Sequence, residues 1–331
     1  MGLLIDGMWR DKWYDTSGDG KFKRKDAAFR SWITADGLPG PKGGGGFQAE
    51  ADRYHLYVSL ACPWAHRTLI VRELKGLQDI IPVSIVHWFM RENGWEFVPE
   101  DGATTDPVNG ARYMHQIYTA AKPDYTGRVT IPVIWDKKTD TIVTNESSEI
   151  IRMFNSAFDG VGADASVDIS PEPLRAEIDA VNEPIYHAVN NGVYKAGFAT
   201  KQEAYEEAFD ALFLQLDKVE DRLSHQRWLV GDQMTEADIR LFTTLIRFDA
   251  VYFGHFKCNR QRIEDYPNLS NYVRDIYQMP EVRRTVDFLH IKNHYYHSHE
   301  TVNPTRIIPK GPELDFDAPH DRNRFETREA A

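Results

Sequence analysis

Hydrophobic positions change period along this chain, and the changes mark its elements. The run Tyr54-His55-Leu56-Tyr57-Val58-Ser59-Leu60 is rich in aliphatic, aromatic and β-branched residues and predicts a strand. Ala65, Leu69, Ile70, Leu74 and Leu77 then recur at helical spacing, with Gly76 as a stop. A second strand is expected at 80–88, followed by a polar, glycine-containing excursion over 91–126. The apolar run 129–136, the turn Lys137-Lys138-Thr139-Asp140 and the strand Thr141-Ile142-Val143-Thr144 predict a hairpin. Pro132 would remove a ladder hydrogen bond from a central strand, so it is placed at the strand's opening. Both a cis Ile131–Pro132 bond and a trans edge proline suit that place. A helix closes this small α/β unit near residue 160.

After Gly160-Val161-Gly162-Ala163-Asp164 the pattern turns helical. Ser170-Pro171-Glu172 reads as a helix start, and Thr235-Glu236-Ala237-Asp238 has the reach of a capping box opening a helix over 236–248. Amphipathic segments are expected at 203–224 and 267–279. Residues 1–50 show no useful period, although Trp9, Trp13, Phe29 and Trp32 argue against complete disorder. The expected organisation is an irregular extension (1–50), an α/β domain (51–160), a linker (161–170), an all-helical domain (171–300) and a tail (301–331) packed on it or disordered.

Composition narrows the function. A chain of 331 residues with 42% hydrophobic content has material for two cores. A net charge of −11 argues against nucleic acid or an anionic membrane as partner. No stretch approaches the roughly 20 apolar residues of a membrane span. With two cysteines, Cys62 and Cys258, and no leader-like start, a reducing, cytoplasmic setting is expected.

Cys62 carries the candidate chemistry. It lies between the predicted strand and helix, with Pro63 suited to the first helical position, so Cys62 falls at the N-cap near unpaired N–H groups and the positive dipole end. A thiol there ionises more readily than one in free solution. Ala65 stands where a dithiol oxidoreductase would carry its second cysteine, so the chemistry is monothiol, and glutathione is the abundant thiol that could resolve a mixed disulfide. The alternative is an inert, buried cysteine. His290 and His294 share the i, i+4 spacing of a metal-binding pair, with His297 and His299 nearby, but a second ligand cluster is missing. Support of an aromatic pocket is the preferred reading, and no metal is expected.

A strand, a cysteine opening a helix, an Ile-Pro before a hairpin and a helical half with a capping box resemble a glutathione transferase, a thioredoxin-like domain followed by an all-helical domain. More narrowly, Cys62-Pro63-Trp64-Ala65-His66-Arg67, Gly94-Trp95-Glu96-Phe97, Gly127-Arg128-Val129-Thr130-Ile131-Pro132-Val133 and Asn145-Glu146-Ser147-Ser148 resemble the Xi class, the glutathionyl-hydroquinone reductases.

The resemblance implies a glutathione site built from Trp95, Arg128, Val129, Thr130, Ile131, Glu146 and Ser147. Ile131 would offer backbone groups to the cysteinyl segment, Glu146 would accept the γ-glutamyl ammonium, and Ser147 with its helix N-terminus would hold the α-carboxylate. Arg128 suits the other carboxylate, and Trp95 would pack on the tripeptide. Taken singly, a surface ion pair for Arg128, helix capping for residues 145–147 and core packing for Trp95 are equally good readings. The family's functional tyrosines fall on Tyr194, Tyr252 and Tyr295, with Tyr296 adjacent to the last. The implied reaction removes glutathione from a glutathionyl-hydroquinone through a Cys62 mixed disulfide, in a homodimer. The rivals are an omega-like thiol transferase, which needs Cys62 but not the phenols, and a noncatalytic binding module.

Overall fold

The computed structural model describes residues 2–13, 18–41 and 45–325. Two compact units organise them, and neither is continuous in sequence. The first comprises Met1–Tyr14, Arg24–Asp168 and Thr285–His299; the second comprises Asp15–Lys23, Ile169–Arg284 and Glu300–Ala331.

The strands of the first unit are β1 (Leu3–Ile5), β2 (Met8–Arg10), β3 (Trp32–Thr34), β4 (Gly46–Gln48), β5 (Tyr54–Val58), β6 (Val83–Ile85), β7 (Gly127–Arg128), β8 (Val133–Asp136) and β9 (Thr141–Thr144). Its centre is a four-stranded sheet in the order β6-β5-β8-β9. β5 pairs parallel with β6, Leu56 opposite Val83, and antiparallel with β8, Leu56 opposite Ile134. The parallel pair requires a crossover, and helix α1 (Pro63–Leu74) supplies it. All five residues of β5 are buried, which explains a continuous apolar run where a half-exposed strand would alternate. The hairpin β8–β9 turns where expected, with Asp140 at a φ of 49°, and the Ile131–Pro132 bond before it is cis.

Two segments differ from the sequence expectation. The 91–126 excursion contains helix α2 (Met114–Ala121), whose Met114, Ile117 and Tyr118 are buried at i, i+3 and i+4. Gln116 Oε1 accepts from the Tyr113 and Arg112 amides, a cap made by a residue that a Ser/Thr/Asp signature does not detect. Residues 1–50 are not irregular throughout. β1 and β2 form a hairpin that joins β7 in the order β2-β1-β7, and β3 pairs parallel with β4. Strands of three residues are too short to show a period, and the partner of β1 lies more than 100 residues away.

Helix α3 (Ser147–Ser156) packs on α1, and Ile150, Ile151 and Phe154 of α3 and Ile70 and Val71 of α1 are buried in this unit. The second unit is helical: α4 (Arg175–Ile185), α5 (Gly192–Gly197), α6 (Gln202–His225), α7 (Glu236–Arg247), α8 (Pro267–Tyr277) and α9 (Pro280–Arg283), with π-turns at Tyr186–Asn190 and Phe248–Tyr252. The capping box of α7 is formed. Asp238 is fully buried and accepts from the Thr235 amide and hydroxyl, the Leu229 amide and the Tyr272 hydroxyl. Burial raises its pKa above the ordinary carboxyl value, and these four donors offset part of that rise. Helix α10 (Phe288–Ser298) follows this unit in the chain but belongs to the first. The tail through Phe325 packs on the helical unit, with Arg322 donating to the carbonyls of Leu223, Gln226 and Arg227.

Candidate active site

Cys62 sits at the junction that the sequence placed it in. Its backbone is extended (φ −77°, ψ 120°), Pro63 is the first residue of α1, and its amide donates to the Ser59 carbonyl. The side chain is half-buried, and neither cysteine of the chain is in a disulfide. The Cys62 thiol donates to the Ile131 carbonyl at 3.5 Å, so the segment before Pro132 faces the sulfur directly.

That segment is held by Asn145 and by Tyr118, a residue that the sequence pattern does not single out. The Tyr118 hydroxyl of α2 donates to the Thr130 carbonyl (2.8 Å) and accepts from the Thr130 amide (3.2 Å). Asn145 Nδ2 donates to Tyr118 Oη and to Thr130 Oγ1. Burial pushes the Tyr118 hydroxyl well above its ordinary pKa, keeping it a neutral donor. Thr130 thus spends its main-chain groups on Tyr118, and the Ile131 carbonyl is the one turned to Cys62. Val129 is buried beside them.

Glu146 caps α3. Its Oε1 accepts from the Ser148 amide (3.0 Å) and hydroxyl (2.8 Å), so the capping reading describes its contacts here. Ser147 is buried, and its hydroxyl accepts from Arg67 Nη1 at 3.4 Å. Arg67, almost wholly buried, lies over the Trp64 ring at 4.5 Å and ties the Cys62 helix to the α3 N-terminus. The sequence carried Trp64 and Arg67 inside the cysteine motif, but no local signal shows that they join two helix starts. His66, one turn along α1, is within 2.8 Å of the Thr285 hydroxyl, where the chain re-enters this unit.

Trp95 is buried and stacks on His294 of α10, centroids 4.7 Å apart at 26°, which is the packing reading. Arg128 Nη1 and Nη2 donate to the carbonyls of Lys12 (2.5 Å) and Trp13 (2.8 Å). The tyrosines divide between the units. Tyr194 on α5 and Tyr252 in the second π-turn pack in one aromatic cluster, centroids 6.0 Å apart, joined by Phe256. Tyr295 belongs to the first unit, edge-on to both His294 and His299 at 5.3 Å; it is buried, whereas Tyr296 is half-buried. His290 Nε2 faces the carbonyl of Asp101, and His294 Nδ1 faces that of Trp88. Among the described residues no group of three or more His, Cys, Asp or Glu is placed to hold a metal ion.

Comparison with known proteins gives this geometry its family. The glutathione S-transferase N-terminal domain matches residues 61–157 and the C-terminal domain residues 202–275. The glutathionyl-hydroquinone reductase YqjG of Escherichia coli (strain K12) is 60% identical over 98% of this chain and 99% of its own length. PcpF of Sphingobium chlorophenolicum, of the same description, is 56% identical over 94% of this chain and 96% of its own. The glutathione-bound structure of YqjG superposes with a TM-score of 0.90 at 57% identity, covering 97% of this chain and 99% of that one. The Xi glutathione transferase of Phanerochaete chrysosporium superposes at 0.85 with 52% identity, covering 91% and 100%. This chain belongs to the Xi-class glutathione transferases. In this Xi-class chain the thioredoxin-like unit carries the cysteine and the Ile-Pro segment, and the helical unit carries Tyr194 and Tyr252.

Proposed function

We propose that the protein is a glutathionyl-hydroquinone reductase working through a Cys62 mixed disulfide, as a cytoplasmic homodimer that uses glutathione as co-substrate. The observation that carries the reading is a half-buried cysteine opening α1 behind a proline, with its sulfur against the Ile131 carbonyl and alanine at the position of a resolving cysteine. A sulfur so placed has no resolving partner three residues on, and a second glutathione fills that role.

In the proposed reaction the ring first takes its keto form, the carbon that bears sulfur gaining a proton from Tyr194 and the ring hydroxyl returning its own proton to that tyrosine. The Cys62 thiolate attacks the glutathionyl sulfur, and the carbon–sulfur bond breaks with its electron pair entering the ring as an enolate. Protonation of that oxygen releases the hydroquinone. A second glutathione thiolate then attacks the mixed disulfide, forming glutathione disulfide and returning Cys62. The ring gains two electrons, and two glutathione sulfurs supply them. Tyr252 and Tyr295 are the proposed hydroxyl donors to the thiolate. Ile131, Arg128, Val129, Thr130, Trp95, Glu146 and Ser147 are the proposed glutathione contacts; Glu146 serves the ammonium with the carboxylate that also caps α3.

Single-turnover mass spectrometry with glutathionyl-menadiol tests this. Wild-type protein should release menadiol and gain one glutathione on Cys62; Cys62→Ala should do neither, and Tyr194→Phe should slow the release by about 10²-fold. Glutathione uptake from an ordinary mixed disulfide without cleavage of glutathionyl-menadiol would replace the reading by a general thiol transferase.

A further inference from the structure

Residues 9–13, read from sequence as part of an irregular arm, contact one residue proposed for the chemistry, Arg128, and neighbours of two others, Trp95 and Tyr295. The Trp9 indole N–H donates to the Glu92 carbonyl at 2.8 Å, and its ring stacks on His115 of α2, centroids 4.9 Å apart at 21°. It also lies so close to the backbone that a Cβ on Gly94, the residue before Trp95, would be 2.9 Å from the ring. Lys12 and Trp13 follow, and their successive carbonyls are the two that Arg128 holds. The Trp13 ring then meets His299 edge-on at 5.7 Å, and His299 is edge-on to Tyr295. The ends of the stretch are therefore pinned by two tryptophans, and its last two residues present their carbonyls to one guanidinium.

We propose that residues 9–13 are a built-in strap of the glutathione site, in which Trp9 and Trp13 are positioning residues that orient Arg128 for the glycyl carboxylate. A guanidinium carries five N–H donors in a rigid fork, enough to serve two carbonyls and a carboxylate together. An arginine on a mobile stem loses rotamer freedom when it takes a carboxylate, and one already held by carbonyls loses less, so the strap raises affinity by pre-organisation. The inference rests on the reading of Arg128 as a carboxylate ligand.

Calorimetric titration of the full chain with glutathione and with its glycyl ethyl ester, which lacks that carboxylate, tests both levels separately. The wild type should prefer the free acid by about tenfold, a preference that Arg128→Ala removes. Trp9→Ala and Trp13→Ala should weaken glutathione about five- to tenfold while leaving the ester within about twofold, and Trp9→Phe, which keeps a ring on His115, should restore most of the loss. Equal weakening of both ligands, or no weakening of either, would overturn the strap. A wild type that does not distinguish acid from ester, with Arg128→Ala binding alike, would instead overturn the reading of Arg128.

Discussion

Cys62 and Cys258 are the same side chain in opposite surroundings. Cys62 is half-buried where β5 gives way to α1, with an extended backbone, a proline after it and its sulfur 3.5 Å from a carbonyl 69 residues away. Cys258 has no exposure, lies in the helical unit and has the Phe256 carbonyl 3.8 Å from its sulfur. Burial pushes the Cys258 thiol far above its ordinary pKa, with the nearby Lys257 offsetting only part of the rise. The difference teaches that a thiol's chemistry comes from where the chain turns. A cysteine at a helix start meets solvent and unpaired amides, whereas one inside a core is a small hydrophobe.

The sharpest test of that contrast is function. Cys62→Ser should lower turnover of a glutathionyl-hydroquinone by at least about 10³-fold, because an alkoxide is not available at neutral pH to replace the thiolate, whereas Cys258→Ser should leave kcat within about threefold. Steady-state kinetics of the two variants checks this. Next in size is accessibility. In native buffer iodoacetamide should label Cys62 at least about 10²-fold faster than Cys258, with the gap closing in denaturant, because Cys258 reacts only through opening of its unit. Peptide mass spectrometry over a time course reads both rates, and fast native labelling of Cys258 would break the comparison.

The smallest effect is on stability. Cys258→Ala should cost about 1–2 kcal/mol in urea unfolding, as the loss of one buried sulfur, with catalysis retained. The same thiol sets a pH dependence whose sign follows from its raised pKa. Below the ordinary thiol value both folded and unfolded chains hold the proton, so the contribution is fully present. Above it the unfolded chain releases the proton first, and stability falls by up to about 1.4 kcal/mol per pH unit. Unfolding curves for wild type and Cys258→Ala between neutral and alkaline pH should therefore converge as pH rises.

How much of this was legible depends on the range of the interaction. The start of α7 was readable because Thr235 and Asp238 are three residues apart and each bonds to the other's backbone or side chain. The span of α6 was readable within about two residues because its buried face, from Ala204 through Leu212 and Leu216 to Leu223, repeats at helical spacing. α2 was missed because Gln116, not a serine or aspartate, closes its first turn. In the candidate site, Cys62 was legible from its neighbours alone. The engagement of Arg128 with residues 12 and 13 was not, since the partners stand more than 110 residues apart and are backbone carbonyls, which every residue possesses.

The sequence by itself determined the thiol at a helix start, the missing second cysteine, the Ile-Pro before a hairpin and the helical second half. Each is a matter of residue type within a few positions, where propensity, capping and the fixed φ of proline act directly. Only the tertiary structure decided that α10 leaves the helical segment it follows in the chain and lays His294 on Trp95, that Tyr118 and Asn145 clamp Thr130, and that the N-terminal strap runs from Gly94 to Arg128. Such long-range pairings form because folding must bury rings and satisfy main-chain groups somewhere, and the partner chosen depends on the whole packed core.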